Sequence, residues 1–239
     1  SSRFNPPLFN PSYLKTGNEK GVLAMANFRD SLTFKNYDRE RIIIDSIAAR
    51  LSAEENAFRN RIINSIADTR KAFLPADGEE RAMVERLRDK NALFIEEDGS
   101  VSSIYPVSAR PSRHLAALAD GRTVYCMCAI DALGCAFTFN QDIVVTSSCS
   151  NSGVAIRVVV KDGKLCCALP DEAAIRVLHA DLKASDSWAS CCCCSMLFFK
   201  SQEDYDQFTA DHEVCPDHSF CLNLEEAFSV GRMLFSDGE

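Results

Sequence analysis

Between Val124 and Leu133 the chain sets a thiol and a carboxyl three positions apart, Cys128 and Asp131, in an otherwise apolar run. The run starts strand-like and turns helix-like at about Cys128. On a helix, residues three apart share a face. Side by side, a thiol and a carboxyl can exchange a proton. An aspartate on the inner face of an apolar segment is costly unless it is paired or functional, so Asp131 asks for a chemical explanation. Cys135, four beyond it on the same side, does not: small apolar cysteines are among the commonest buried residues.

A second concentration of sulfur is the run Cys191, Cys192, Cys193 and Cys194, between Trp188 and the pair Phe198-Phe199. On a strand these would alternate, and on a helix they would fan out by about 100° each. At most two can therefore face one site. For each of the four, packing and function stay equally open.

The chain has 239 residues and 12 cysteines, none of them in the first 125 residues. Its length and the bunching of Cys166-Cys167 and the run of four argue against a secreted disulfide scaffold, because disulfides need side chains converging from separate segments. Ser1 to Pro11 has no apolar stretch of the secretory kind, and no run of 18 apolar residues reads as a membrane span. The expectation is a cytoplasmic protein with free thiols. A hydrophobic content of 46% suffices for one sizeable core or a core plus a small domain. The net charge of -8 disfavours non-specific nucleic-acid binding.

The elements that must position these groups read as an α+β fold. Residues 1–20 form an extended arm. Residues 21–110 form a helical, winged-helix-like domain, and residues 111–239 a mixed, mainly antiparallel sheet domain with short helices. Residues 38–73 look helical, with Ile43, Ile47 and Leu51 on one face, then Phe58, Ile62 and Ile66, ending at Pro75. A third helix spans about 78–90 with Met83, Val84 and Leu87 inward. A hairpin follows, Leu93 to Ile95 and Val101 to Val107 about an Asp98-Gly99 turn. The third helix balances Arg81, Arg86, Arg88 and Lys90 against Glu79, Glu80, Glu85 and Asp89, whereas a recognition helix needs a net positive face. Further on, Ile143 to Thr146, Val154 to Val160 and Leu165 to Leu169 read as strands, the last two joined by a turn at Asp162-Gly163. Met196 to Phe199 reads as a buried strand, and Ser201 with Asp204 as a helix-starting cap. His114, His179, His212 and His218 lack metal-ligand spacing, and His212, Cys215 and His218 fit a surface loop better than a zinc site.

Three segments, taken together and in order, resemble the organomercurial (alkylmercury) lyases. Tyr125 to Asp131 matches that family's Tyr-x-x-Cys-Ala-x-Asp. Cys193-Cys194 followed by Phe198-Phe199 matches its cysteine pair before an aromatic pair. Glu226-Ala227-Phe228-Ser229-Val230-Gly231 matches its Glu-Ala-Phe-x-x-Gly. Val145 to Cys149 matches a strand that carries a structural cysteine. The likeness runs from about Phe94 to Leu234.

The resemblance implies that Cys128 and Cys193 are the catalytic cysteines and Asp131 the catalytic acid. A slip of one in the aromatic register would select Cys192 or Cys194 instead. It implies protonolysis of the carbon–mercury bond of a small organomercurial, giving a hydrocarbon and mercury(II). Mercury prefers thiolate donors, and a neighbouring acid can protonate the departing carbon. No cofactor is required. Cys128, Cys193 and Asp131 would hold the product mercury(II), with Cys126, Cys192 and Cys194 as further candidate ligands. Free thiol would act as co-reactant, and a mercuric ion reductase as downstream acceptor. Two departures stand out: Met127 replaces an aromatic residue, and Cys126, Cys166, Cys167, Cys191 and Cys192 are extra. The alternative is a non-catalytic binder of copper(I), mercury or zinc on the same scaffold, for which Asp131 would have no use. A metal-responsive DNA-binding regulator is a third reading, against which the balanced helix speaks.

Overall fold

The computed structural model describes residues 28–184, 188 and 195–236. The proposed arm at residues 1–20 and the cysteine run at 191–194 lie outside the described residues.

The fold is α+β, as the sequence suggests. Its helical part opens with two short helices, α1 (Phe28–Ser31) and α2 (Arg39–Ile42). The continuous helix expected from Ile43, Ile47 and Leu51 does not form. Ile43 turns extended (ψ 125°), and only a three-residue 3₁₀ turn at Ala48–Arg50 precedes α3 (Ala53–Thr69). Two local causes are visible. Ile42, Ile43 and Ile44 are consecutive β-branched residues, which fit a helix poorly. Ser52 and Glu55 form a reciprocal capping box that starts a new helix. A tertiary bond then holds the loop: the Ile47 amide donates to the Leu234 carbonyl at 3.0 Å. The spacing still marks what is buried, since Ile47 and Leu51 enter the core without being helical.

Helix α3 ends at Thr69, with Arg70 in the left-handed region (φ 55°), before Pro75 is reached. Helix α4 (Gly78–Asp89) is capped by Asp77 and buries Met83, Val84 and Leu87, the face read from the sequence. Its charges are partnered: Arg88 pairs with Glu85 on the helix surface at 2.6 Å, and beyond its end Lys90 meets the buried Glu55 of α3 at 2.7 Å.

The hairpin forms as expected from β1 (Leu93–Ile95) and β2 (Val101–Ile104), with Gly99 at φ 81° in its turn. It does not stand alone. Through β3 (Val107–Ser108) it joins β4 (His114–Leu118), β5 (Thr123–Cys126), β6 (Ile143–Ser148), β7 (Ala155–Lys161) and β8 (Lys164–Leu169) in one sheet, ordered β1-β2-β3-β5-β4-β6-β7-β8. Every pairing recorded among the described residues is antiparallel. A smaller sheet has β9 (Arg176–Ala180) between β10 (Phe198–Phe199) and β11 (Ser219–Asn223).

Helix α5 (Ala129–Thr138) packs on β4, β5 and β6 and crosses α7 (Leu224–Phe235), while α6 (Gln202–Asp211) starts at the Ser201 cap. The α5–α7 crossing is close because both helices carry glycine there. A Cβ on Gly134 would lie 2.0 Å from the Phe235 ring, and one on Gly231 would lie 3.3 Å from the Gly134 amide. Glu226 closes a capping box with Asn223. The Glu-Ala-Phe-x-x-Gly segment is therefore a positioning motif: it starts α7 and lets it lie against α5. Among the described residues no helix is long and apolar enough to cross a membrane.

Candidate active site

Strand β5 delivers the chain to the start of α5, with Met127 and Cys128 between them. Cys128 is the helix N-cap, extended at φ −145° and ψ 175°, and its sulfur accepts the Asp131 amide at 3.3 Å. Serine or threonine usually fills this role. The Cys128 thiol and backbone amide in turn both interact with the Asp131 carboxyl. Cys-x-x-Asp is thus a capping box with sulfur in place of the hydroxyl. The sequence reading put the two groups on one helix face; they meet instead because one caps the turn that carries the other. The first turn of a helix favours negative charge, so a thiolate at this cap would be met by the α5 dipole and the Asp131 amide.

Asp131 is 3% exposed, and its Oδ2 has no hydrogen-bond partner among the described residues. Burial pushes its carboxyl up to about 7, against the opposing pull of the two Cys128 contacts. Near neutral pH the group can therefore hold a proton or release it.

Around this pair is an apolar recess lined by Tyr105, Leu182, Trp188, Met196, Leu234 and Phe235. It encloses only about 10 Å³, room for about one water. The Met196 thioether lies 3.8 Å from the Cys128 sulfur, and the Met196 carbonyl accepts the Ala129 amide at 3.0 Å. Trp188 is held on three sides. Its amide donates to Asn91 Oδ1 at 3.1 Å, its indole to the Leu182 carbonyl at 3.2 Å, and the Arg50 guanidinium lies 4.3 Å over its ring.

The other expected ligands part company here. Cys126 faces Cys135 instead, sulfur to sulfur at 3.5 Å in the core, and burial, then Cys135, raises its thiol well above the ordinary range. Cys192, Cys193 and Cys194 lie outside the described residues. Cys149 is buried, and its thiol donates to Asp204 at 3.5 Å. The buried His114 and His179 are each pushed down to about 4, by burial first. Among the described residues no three His, Cys, Asp or Glu side chains gather as a metal site.

Sequence reasoning missed the recess walls. The sequence reads Trp188 only as a flank of the cysteine run, Tyr105 as part of a strand and Met196 as the start of one, whereas the strand covers only Phe198–Phe199 and leaves Met196 free to face Cys128. The one available signal was softness: Met196 is a polarizable thioether beside a sulfur-rich segment.

The chain is 27% identical over 140 residues to the alkylmercury lyase of Staphylococcus epidermidis, covering 59% of this chain and 61% of that protein. It is 25% identical over 115 residues to the alkylmercury lyase of Bacillus cereus, covering 48% and 50%. The chain thus spans about half to three fifths of these relatives. Among solved structures, the mercury-bound form of MerB2 superposes with a TM-score of 0.65 at 23% identity, covering 78% of this chain and 92% of that one, a likeness of fold. The profile of the MerB, or alkylmercury lyase, family matches residues 107–236, more than half of the sequence, and the chain belongs to that family.

Proposed function

We propose that this chain is an organomercurial lyase that cleaves carbon–mercury bonds by protonolysis. The observation that carries the reading is Asp131: a buried carboxyl with one oxygen unpartnered among the described residues, pushed up to about 7, in contact with the Cys128 sulfur. A site that only stored metal would need thiolates and no proton donor.

The Cys128 thiolate attacks the mercury of R–Hg–X, displacing X as its acid or anion. Cys193 supplies the second thiolate. Two described residues flanking its segment, Trp188 and Met196, line the recess, and Met196 is only three positions further on. Donation from two sulfurs raises electron density on the bound carbon. The Asp131 carboxyl gives its proton to that carbon, and the electrons of the C–Hg bond become the new C–H bond. R–H leaves, and mercury(II) stays between the two thiolates beside the Asp131 carboxylate. Two free thiols then take the mercury by exchange and return the cysteine protons, and Asp131 recovers from solvent a proton equal to the one Cys193 released on binding, with a mercuric ion reductase as the downstream acceptor. The small apolar recess favours this step, because burial keeps the acid protonated and limits water near the carbon.

On this reading the domain at 111–239 carries the catalytic groups, and described residues of the domain at 21–110 wall the recess beside them. Ile47 and Tyr105 from the earlier part line the recess. The free thiols fit a reducing cytoplasm.

The test is to incubate the reduced full chain with phenylmercury and excess thiol and to measure benzene. Release by the wild type and its loss in Cys128→Ala, Cys193→Ala and Asp131→Ala supports the assignment. Wild-type release by all three variants refutes the residues, and no release by the wild type refutes the activity.

A further inference from the structure

A pair of adjacent thiols lies apart from the buried site: Cys166 and Cys167 on β8, an edge strand of the eight-stranded sheet. In a regular strand, neighbours face opposite sides, and two adjacent cysteines could not serve one ligand. The β7–β8 ladder is not regular there. Val159 pairs with Cys167 but Val160 pairs with Leu165, so Cys166 is an extra residue in a β-bulge.

Burial shows what the bulge does. Leu165 and Ala168 are half-buried and pack against the core, opposite the buried Val160 and Val158. Cys166 and Cys167, between them, are both exposed. The order is in, out, out, in. The bulge turns both thiols to the outer face of the sheet edge. Burial first, and then the neighbouring Cys166 thiol, raise the Cys167 thiol above its ordinary range, which marks the two sulfurs as interacting.

We infer that Cys166 and Cys167 form a surface dithiol site that chelates a soft, thiophilic metal ion, here mercury(II). Thiolate is the donor such ions prefer. On binding, two S–H bonds break, two S–Hg bonds form and two protons leave, with no change of oxidation state. Two sulfurs on one backbone hold the ion against monothiols that would displace it from either alone. The described pair at Cys126 and Cys135 has no such access, being buried. The inference does not rest on turnover at Cys128.

The test is titration of the reduced full chain with mercury(II) chloride in excess glutathione, followed by alkylation with iodoacetamide and mass measurement of the peptide containing both residues. The expected result is joint protection of the two thiols in the wild type. Bound mercury should fall by one equivalent in Cys166→Ser, in Cys167→Ser and in the double variant alike. Alkylation of both thiols at saturation overturns the site, as does a metal retained at the remaining thiol of either single variant. Benzene release from phenylmercury by the same proteins keeps the two readings apart. It should be unchanged in the double variant, and a wild type that releases none yet shows joint protection sinks the lyase reading and leaves this site standing.

Discussion

Two buried aspartates, each beside a cysteine sulfur, have opposite surroundings in this fold. Asp204 and Asp131 are 5% and 3% exposed. Burial opposes ionisation at Asp204, but hydrogen bonds from Lys200, Ser201, Ser152 and the Cys149 thiol outweigh it and hold the carboxyl well below the usual carboxylate range. Asp131 has only Cys128 to set against burial, and its carboxyl goes the other way, to about 7. The same pair of residue types makes a structural anion in one place and a stored acid in the other. The difference lies in how many donors the neighbouring loops supply, since a buried carboxylate with few donors is neutralised rather than tolerated.

The largest effect should separate the two in activity. Asp131→Ala should lower single-turnover benzene release by about 10²–10⁴-fold, the usual worth of a positioned general acid. Asp204→Ala should keep the wild-type rate under conditions where it is folded. Equal losses in both would erase the contrast.

The pH dependence of stability should run in opposite directions. The Asp131 carboxyl titrates near 4 when unfolded and at about 7 when folded, so the folded chain holds a proton that the unfolded chain releases. Its contribution is fully present below about pH 4 and is lost as pH rises to about 7, at roughly 1.4 kcal/mol per pH unit. Urea midpoints of the wild type against Asp131→Asn should show that slope, and parallel curves would remove it. For Asp204 the folded value is depressed, so its contribution is present above the unfolded value and lost as pH falls through the acid range.

In stability at neutral pH, Asp204→Ala should cost about 1–3 kcal/mol, the desolvation of donors left unpaired. Urea unfolding checks this, and no loss would show that the cluster is not holding β6 to α6. Smallest of all, Cys135→Ala should cost about 1 kcal/mol as a small core cavity and leave turnover unchanged. A loss of turnover there would draw the Cys126–Cys135 pair into the chemistry.

The site was partly legible in the sequence. Three-residue spacing brought Cys128 and Asp131 together on paper, and they do meet, though by a cap and not by a helix face. Capping is short-range, so the pattern survived an error of mechanism. Ile43, Ile47 and Leu51 show the opposite case. Their four-residue period marked burial, but the Ser52–Glu55 box and the Ile47–Leu234 bond decided the backbone, and the second of these joins residues 187 positions apart. The recess walls come from distant segments in the same way. The bulge at Cys166 was illegible for another reason: Leu-Cys-Cys-Ala reads equally well as a regular strand until the register of β7 is known.

The state of the Asp131 proton is what the proposed chemistry depends on, and infrared spectroscopy reads it directly. The carboxylic C=O band absent from Asp131→Asn but present in the wild type should be full at pH 5 and titrate away near pH 7 in the mercury-free protein. A wild-type protein already carrying the Asp131 carboxylate at pH 5 would have no acid stored beside Cys128, and would contradict the protonolysis reading.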